Sequence, residues 1–183
     1  MLKRMNVSHE PLRSFGLPLI PWREGMRILD VGCGGGATIA EMLKLSEGSI
    51  IDGIDYSEVS VEQSRVLNKE YIGTRCSISQ ADVTELPFED NTFDLVTAVE
   101  TVYFWPEIEK AFAEIRRVLK PGGMFVILNE GSDPDRIDWP EIDSFMVIYR
   151  PQELEDLVKK SGFDNIQLHH GQDQLICLIC CKQ

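Results

Sequence analysis

Three carboxylates, Asp30, Asp55 and Asp82, stand where apolar runs of the sequence give way to polar residues, and the first opens the segment Asp30-Val31-Gly32-Cys33-Gly34-Gly35-Gly36. Glycines at alternate positions let backbone approach a ligand closely, because no β-carbon intervenes and positive φ costs little. This is the turn chemistry of a nucleotide-cofactor site at the edge of a parallel sheet. Gly32 to Ala37 also satisfies G-x-G-x-x-A, a dinucleotide fingerprint, so the glycines alone do not choose the cofactor. Asp30 can order the loop and accept a hydrogen bond from an amine, whereas it would repel a pyrophosphate; that favours a cofactor bearing an amino acid. Asp55 is spaced to accept from vicinal ribose hydroxyls, a contact common to both cofactor types, or to serve as an acid before the helix that Ser57 opens. Asp82 can accept from an adenine amino group while Val83 packs on the ring; its bland alternative is a cap for the turn at Thr84.

Strands and helices in βα order must position these groups. The apolar spacing predicts strands at 27–31, 49–55, 76–80, 93–99 and 123–129, and helices at 38–45, 58–71 and 107–119, the last stopped by Pro121-Gly122-Gly123. Such repeats specify a parallel sheet covered by helices on both faces through right-handed crossovers. After a helix at 152–161, strands at 165–169 and 174–181 flank the turn His170-Gly171-Gln172-Asp173, a connection short enough only for an antiparallel hairpin. The more apolar second strand is expected inside the sheet and the first at its edge. Two segments fall outside the plan. Residues 1–25 contain Pro11, Pro18 and Pro21 and allow at most one short helix, and residues 130–150 carry Trp139-Pro140 and Tyr149. Both are candidate lids over a substrate.

The 183 residues, 43% of them hydrophobic, are expected to form one domain over 1–183. Thirty acidic against 18 basic residues give a net charge of −12, which repels a phosphate backbone and argues against a nucleic-acid partner. No apolar stretch approaches the ~20 residues that cross a bilayer, and no apolar signal core follows Lys3 and Arg4; a cytoplasmic location is expected. Five cysteines in no framework spacing read as reduced thiols, with Cys177, Cys180 and Cys181 inside a buried strand rather than in a metal site. Asp133, Asp135 and Asp138 lack the central Gly and distal Glu of a calcium loop, so no metal is expected.

Ile28 to Thr38 (ILDVGCGGGAT), Gly53 to Ser57 (GIDYS), Gln80 to Val96 (QADVTELPFEDNTFDLV) and Leu119 to Gly123 (LKPGG) resemble, in order, the motifs of the class I S-adenosylmethionine-dependent methyltransferases, type 11 subgroup. The resemblance implies a Rossmann-like α/β fold with a seven-stranded, mostly parallel sheet of order 3-2-1-4-5-7-6, strand 7 antiparallel. It implies methyl transfer from S-adenosylmethionine, leaving S-adenosylhomocysteine, to a small-molecule acceptor. Carried over residue by residue, Asp30, Gly32, Gly34 and Gly36 surround the methionine portion. Asp55 takes the ribose hydroxyls, Tyr56 and Val83 the adenine faces, and Asp82 the adenine edge. Val99 and Glu100 come near the sulfonium and amine, and Asp94 is structural.

Where many relatives carry a His after strand four, this chain has Tyr103-Phe104-Trp105-Pro106. Tyr103, Trp105 and Tyr149 are therefore the expected acceptor walls, with Phe104 read as core. Glu100 and Tyr103 are the catalytic candidates, and His9 and Glu130 the other titratable groups to place beside them. Two rival readings are a cofactor-binding module without catalysis, which the absent His makes credible, and a nicotinamide-dependent reductase, which Asp30 and Asp82 disfavour.

Overall fold

The computed structural model describes residues 9–130, 132–135 and 146–183. In chain order it contains α1 (Glu10–Gly16) running into a 3-10 turn (Leu17–Leu19), β1 (Arg27–Val31), α2 (Ala37–Leu45), β2 (Ile50–Asp55), α3 (Glu58–Leu67), β3 (Cys76–Gln80) and β4 (Phe93–Val99). A second 3-10 turn (Val102–Phe104), α4 (Ile108–Val118), β5 (Leu119–Asn129), α5 (Pro151–Lys160), β6 (Phe163–His170) and β7 (Ile176–Lys182) follow. The seven strands lie in the order β3-β2-β1-β4-β5-β7-β6. Neighbours from β3 to β5 are parallel, and β7 runs antiparallel to both β5 and β6. The sheet order and the antiparallel hairpin agree with the sequence reading.

Period-two alternation makes the sheet two-sided. Along β5, Phe125 and Ile127 enter one apolar layer and Met124, Val126 and Leu128 the other. The first layer is closed by α4, whose Ile108, Ala111, Phe112, Ile115 and Val118 recur at helical spacing, and by Leu154 and Val158 of α5. The second is closed by Leu12 of α1, by Ile39, Met42 and Leu43 of α2, and by Val61 of α3. Burial on both faces explains why β5 and β7 read as continuous apolar runs. Cys177 and Cys180 are free and buried within β7. Among the described residues no helix is long and apolar enough to cross a membrane.

The differences from the sequence reading lie at element ends. The helix begun at Glu58 stops at Leu67 rather than Tyr71, because Asn68 Nδ2 donates to Ser64 O and to Gly36 O and the Tyr71 carbonyl takes the amides of Arg75 and Cys76. Strand β5 starts four residues early, at Leu119, which pairs with Phe93 before an irregularity restores register at Leu95 and Met124. Strand β7 starts two residues late, since Asp173 and Gln174 have φ of 49° and 69°, incompatible with extended pairing. Asp94, below the sheet's binding edge, accepts from Arg27 N and Lys120 Nζ and is structural.

Candidate cofactor site and its acidic wall

The parallel strands end together at one edge of the sheet, and a cavity of about 570 Å³ opens there, within the size range of small-ligand sites. Val31, Gly32, Gly34, Ile54, Asp55 and Tyr56 line it near β1 and β2. Asp82 and Val83 extend it past β3, and Glu100, Thr101, Phe104, Trp105 and Pro106 close it beyond β4.

The glycine loop divides its work. Gly34 lines the cavity, and a β-carbon there would meet nothing within 4 Å, so its backbone faces open space. A β-carbon on Gly32 would lie 2.2 Å from Thr101 Oγ1, which ties the loop to the end of β4. Gly36 has φ +82 and caps α2; it packs against Ser64 and Asn68 of the α3 region and does not line the cavity.

Asp55 Oδ2 accepts from Gly34 N at 2.8 Å and Oδ1 from Ser57 N at 2.9 Å. The carboxylate thus orders the glycine loop and the start of α3 while facing the cavity. Asp82 Oδ1 accepts from both Thr84 N and Thr84 Oγ1 at 2.8 Å, and these bonds hold its pKa below the usual carboxylate value. The capping and cavity-lining roles considered for Asp82 therefore coexist. Tyr56 is 77% exposed, free to cover a ligand face. Asp30 lies beneath the loop, fully enclosed. Thr97 Oγ1 donates to its Oδ1 at 2.7 Å, while Oδ2 has no hydrogen-bond partner. Burial, with a smaller push from Asp55, raises Asp30 to about 7 despite the Thr97 bond. Val99 is packed against the second apolar layer and does not line the cavity.

Beyond β4 the chain turns sharply, because Glu100 adopts φ 54°. A non-glycine residue in this region costs of order 1–3 kcal/mol, a strain characteristic of functional sites. The turn aims the Glu100 side chain inward, where Glu130 N donates to Oε1 and Tyr103 OH donates to Oε2 at 2.9 Å. His9 Nδ1, from the residue before α1, lies 3.8 Å from Glu100 Oε2 and 3.4 Å from Glu130 Oε1. The four titratable groups singled out in the sequence, 121 positions apart at the extremes, thus form one cluster. Burial raises Glu100 to about 7 in spite of these donors. Burial would lower His9, but the Glu130 hydrogen bond and the two carboxylate charges outweigh it and raise its pKa. Burial and the Glu100 charge raise the Tyr103 phenol, so it stays a donor.

The aromatic run departs from expectation. Residues 102–104 form a 3-10 turn, which rotates successive side chains by about 120°. Tyr103 and Trp105 turn inward, and Phe104, expected in the core, is 43% exposed and lines the cavity. Trp105 lines it too, edge-on to Phe112 behind. Tyr103, expected as an acceptor wall, does not line the cavity; it backs two residues that do, holding Glu100 through its hydroxyl and packing its ring against Phe104. Tyr149 packs against the first apolar layer and lines neither this cavity nor a second one beside α1. Of the segment 130–150, residues 131 and 136–145, with Trp139, lie outside the described residues, as do 1–8 of the N-terminal segment. Arg150 spans Asp133 and Asp135 at 3.4 and 2.7 Å, so two of the three acids weighed as a calcium loop are ion-paired.

A buried acid with a raised pKa binds its proton in the folded state where the unfolded chain has lost it, so stability falls as pH rises through that interval. For Glu100 the interval runs from 4.5 to about 7, with a slope of at most ~1.4 kcal/mol per pH unit. Glu100→Gln, whose amide can donate to the Tyr103 oxygen, should flatten the decline. Urea unfolding of both proteins between pH 4.5 and 8 measures it, and parallel curves would show that Glu100 keeps an ordinary pKa.

The cavity fits S-adenosylmethionine. Asp82 and Val83 at one end, Asp55 and Tyr56 beside them, the open backbone of Gly34 and the inward Glu100 follow one another along an elongated space suited to adenine, ribose and an amino-acid arm. The orphaned Asp30 Oδ2 leaves acceptor capacity beneath the loop. Comparison with known proteins points the same way. Sterol 24-C-methyltransferase ERG6B of Gibberella zeae is 32% identical over 91% of this chain and 46% of its own length. Cycloartenol-C-24-methyltransferase of Arabidopsis thaliana is 29% identical over 86% of the chain and 49% of its own length. The chain therefore spans about half the length of the curated relatives it matches. Among solved structures, a methyltransferase of Haloferax volcanii in complex with the activator Trm112 superposes with a TM-score of 0.87 at 20% identity, over 98% of this chain and 91% of that one. A SAM-dependent methyltransferase of Aquifex aeolicus superposes at 0.76 with 21% identity, over 94% and 87%. Residues 29–127, carrying the glycine loop, Asp55, Asp82 and Glu100, match the family described as methyltransferase domain, type 11, and the chain belongs to this family, whose cofactor is S-adenosylmethionine.

Proposed function

We propose that the protein transfers a methyl group from S-adenosylmethionine to a small-molecule acceptor, as a single functional unit over residues 1–183. The observation that carries this reading is the continuous cavity running from Asp82 past Asp55 and Gly34 to Glu100 and Trp105. When bound, S-adenosylmethionine supplies an electrophilic methyl group whose displacement leaves a neutral thioether, so positioning supplies much of the rate. Gly32 and Gly34 receive the amino-acid arm, with Asp30 supporting the loop from beneath, and Asp55 the ribose hydroxyls. Asp82 takes the adenine amino group, with Tyr56 and Val83 on its faces. Phe104 and Trp105 offer ring faces to the cationic centre and to the acceptor.

Glu100, with a pKa near neutrality, is suited to take a proton from an acceptor at working pH. Tyr103 is a positioning residue that holds Glu100 Oε2. Tyr103→Phe should leave cofactor affinity within about twofold and lower kcat several-fold, with the pH profile moved upward because Glu100 loses a donor to its charged form. An unmoved profile would remove Tyr103 from this role. The net charge of −12 favours a small molecule over nucleic acid.

Thermal unfolding with added ligands tests the cofactor. S-adenosylmethionine or S-adenosylhomocysteine at 100 times its Kd should add about 2.7 kcal/mol, a rise in Tm of several degrees, while NADH adds nothing. Stabilisation by NADH with no response to either sulfur ligand would overturn the reading.

A further inference from the structure

A second cavity of about 490 Å³ lies between α1, the end of β5 and the β6–β7 turn, lined by Pro11, Phe15, Glu130, Gln172, Asp173 and Leu175. Its walls are built. Asp173 and Gln174 hold left-handed backbone, Ser132 Oγ donates to Gln174 O at 2.9 Å, and Asp133 N donates to Gln174 Oε1 at 3.2 Å. Gly171 lies against Phe15, whose ring carbons stand 3.2 Å from where a β-carbon would be. The turn is thus pinned from two sides.

The chemistry of the lining is one-sided. Among the described residues of the lining both charged side chains are carboxylates, Glu130 and Asp173, and neither is paired to a described Lys or Arg. Arg13, on the same helix as Pro11 and Phe15, is held by Glu41 at 2.7 Å. His9, the residue before α1, holds Glu130 Oε1 from the other side through Nδ1 at 3.4 Å. Pro11, Phe15 and Leu175 supply apolar surface, and a ring beside two carboxylates attracts a cation while excluding an anion. Glu130 also joins this cavity to the cofactor site, since its own N–H holds Glu100.

We propose that the second cavity is a binding site for an apolar amine, its ammonium group between Glu130 and Asp173 and its hydrocarbon body against Phe15 and Leu175. The site stands on its own lining and does not require the methyl-transfer reading. 2-Phenylethylamine, 2-phenylethanol and 3-phenylpropanoate share one body and differ in charge, so they are the probes for calorimetry and for amide chemical-shift mapping on the full chain. The amine should bind, the alcohol at least tenfold more weakly and the acid not at all, with shifts at Gln172 and Leu175. Glu130→Gln with Asp173→Asn should bring the amine to the affinity of the alcohol. The Glu130→Gln change spares the backbone bond to Glu100, and asparagine suits the left-handed position 173. Retained S-adenosylhomocysteine binding marks the double variant as folded; if it is lost, Asp173→Asn alone, on the exposed turn, should weaken the amine at least threefold. Equal binding of amine and alcohol, undiminished amine affinity in the variants, or shifts confined to the residues around Asp55 and Asp82 would each overturn the proposal. Failure of S-adenosylhomocysteine to bind the wild-type chain would instead count against the cofactor assignment.

Discussion

Asp55→Ala should weaken S-adenosylhomocysteine binding by at least about a hundredfold while the protein remains folded. A carboxylate hydrogen bond contributes roughly 1.5–3 kcal/mol, and the variant loses two such bonds to the ribose hydroxyls. It also strips acceptors from Gly34 N and Ser57 N, so the glycine loop loses the tie that aims its backbone into the cavity. The second loss adds a stability decrease of about 1–2 kcal/mol, on the scale of a missing cap. Asp55→Asn separates the two effects, since an amide oxygen can still accept from Gly34 N but carries no charge for the ribose. Calorimetry on both variants decides the matter. Unchanged affinity in folded Asp55→Ala would place the ribose elsewhere.

The largest loss of stability is expected for Gly36→Ala. A β-carbon at this position would stand 2.4 Å from Ser64 Oγ, 2.6 Å from Asn68 Nδ2 and 2.9 Å from the Ser64 Cα. The last of these is backbone and cannot swing away. Left-handed φ costs alanine about 1–2 kcal/mol and forced overpacking another 1–3, so the variant should lose about 2–5 kcal/mol in urea unfolding. Gly34→Ala is the contrast. Its φ is +51 and its added β-carbon meets nothing, so it should lose about 1–2 kcal/mol while its methyl group protrudes into the cofactor cavity and lowers cofactor affinity. Equal stability losses in the two variants would mean that the α2–α3 contact is looser than these distances imply.

These two glycines also mark what the chain's residues could and could not declare in advance. The βα succession, the parallel core and the final antiparallel hairpin were legible because each depends on short-range patterns: apolar alternation, helix stops, and a four-residue turn too short for a crossover; the order of strands in the sheet came only from the family resemblance. The placement of Asp55 and Asp82 at the cavity was legible for the same reason as the parallel core, since they stand at the end of β2 and just past β3 and the strands of a parallel sheet end at one edge; Asp30, inside β1, is enclosed beneath the loop instead. That Gly34 opens to the cavity while Gly36 serves helix packing was not legible, because both satisfy the same spacing and only the neighbour across the gap distinguishes them.

The aromatic run after β4 misled in a similar way. Tyr103, Phe104 and Trp105 are consecutive and apolar, and which faces inward depends on the rotation of a single 3-10 turn. A one-residue change of phase exchanges core for cavity, and Phe104 was the residue so exchanged. The ends of β5 and β7 shifted because register and left-handed residues, properties of pairing rather than of propensity, set them.

By itself the sequence determined the βα order, the two-faced sheet and the carboxylates Asp55 and Asp82 at the strand ends, since local periodicity and chain connectivity carry that information. Only the tertiary structure decided that His9, Glu100, Tyr103 and Glu130 meet in one cluster, because their contacts join α1, the end of β4 and the end of β5 across up to 121 positions, and no local pattern encodes a distance of that kind.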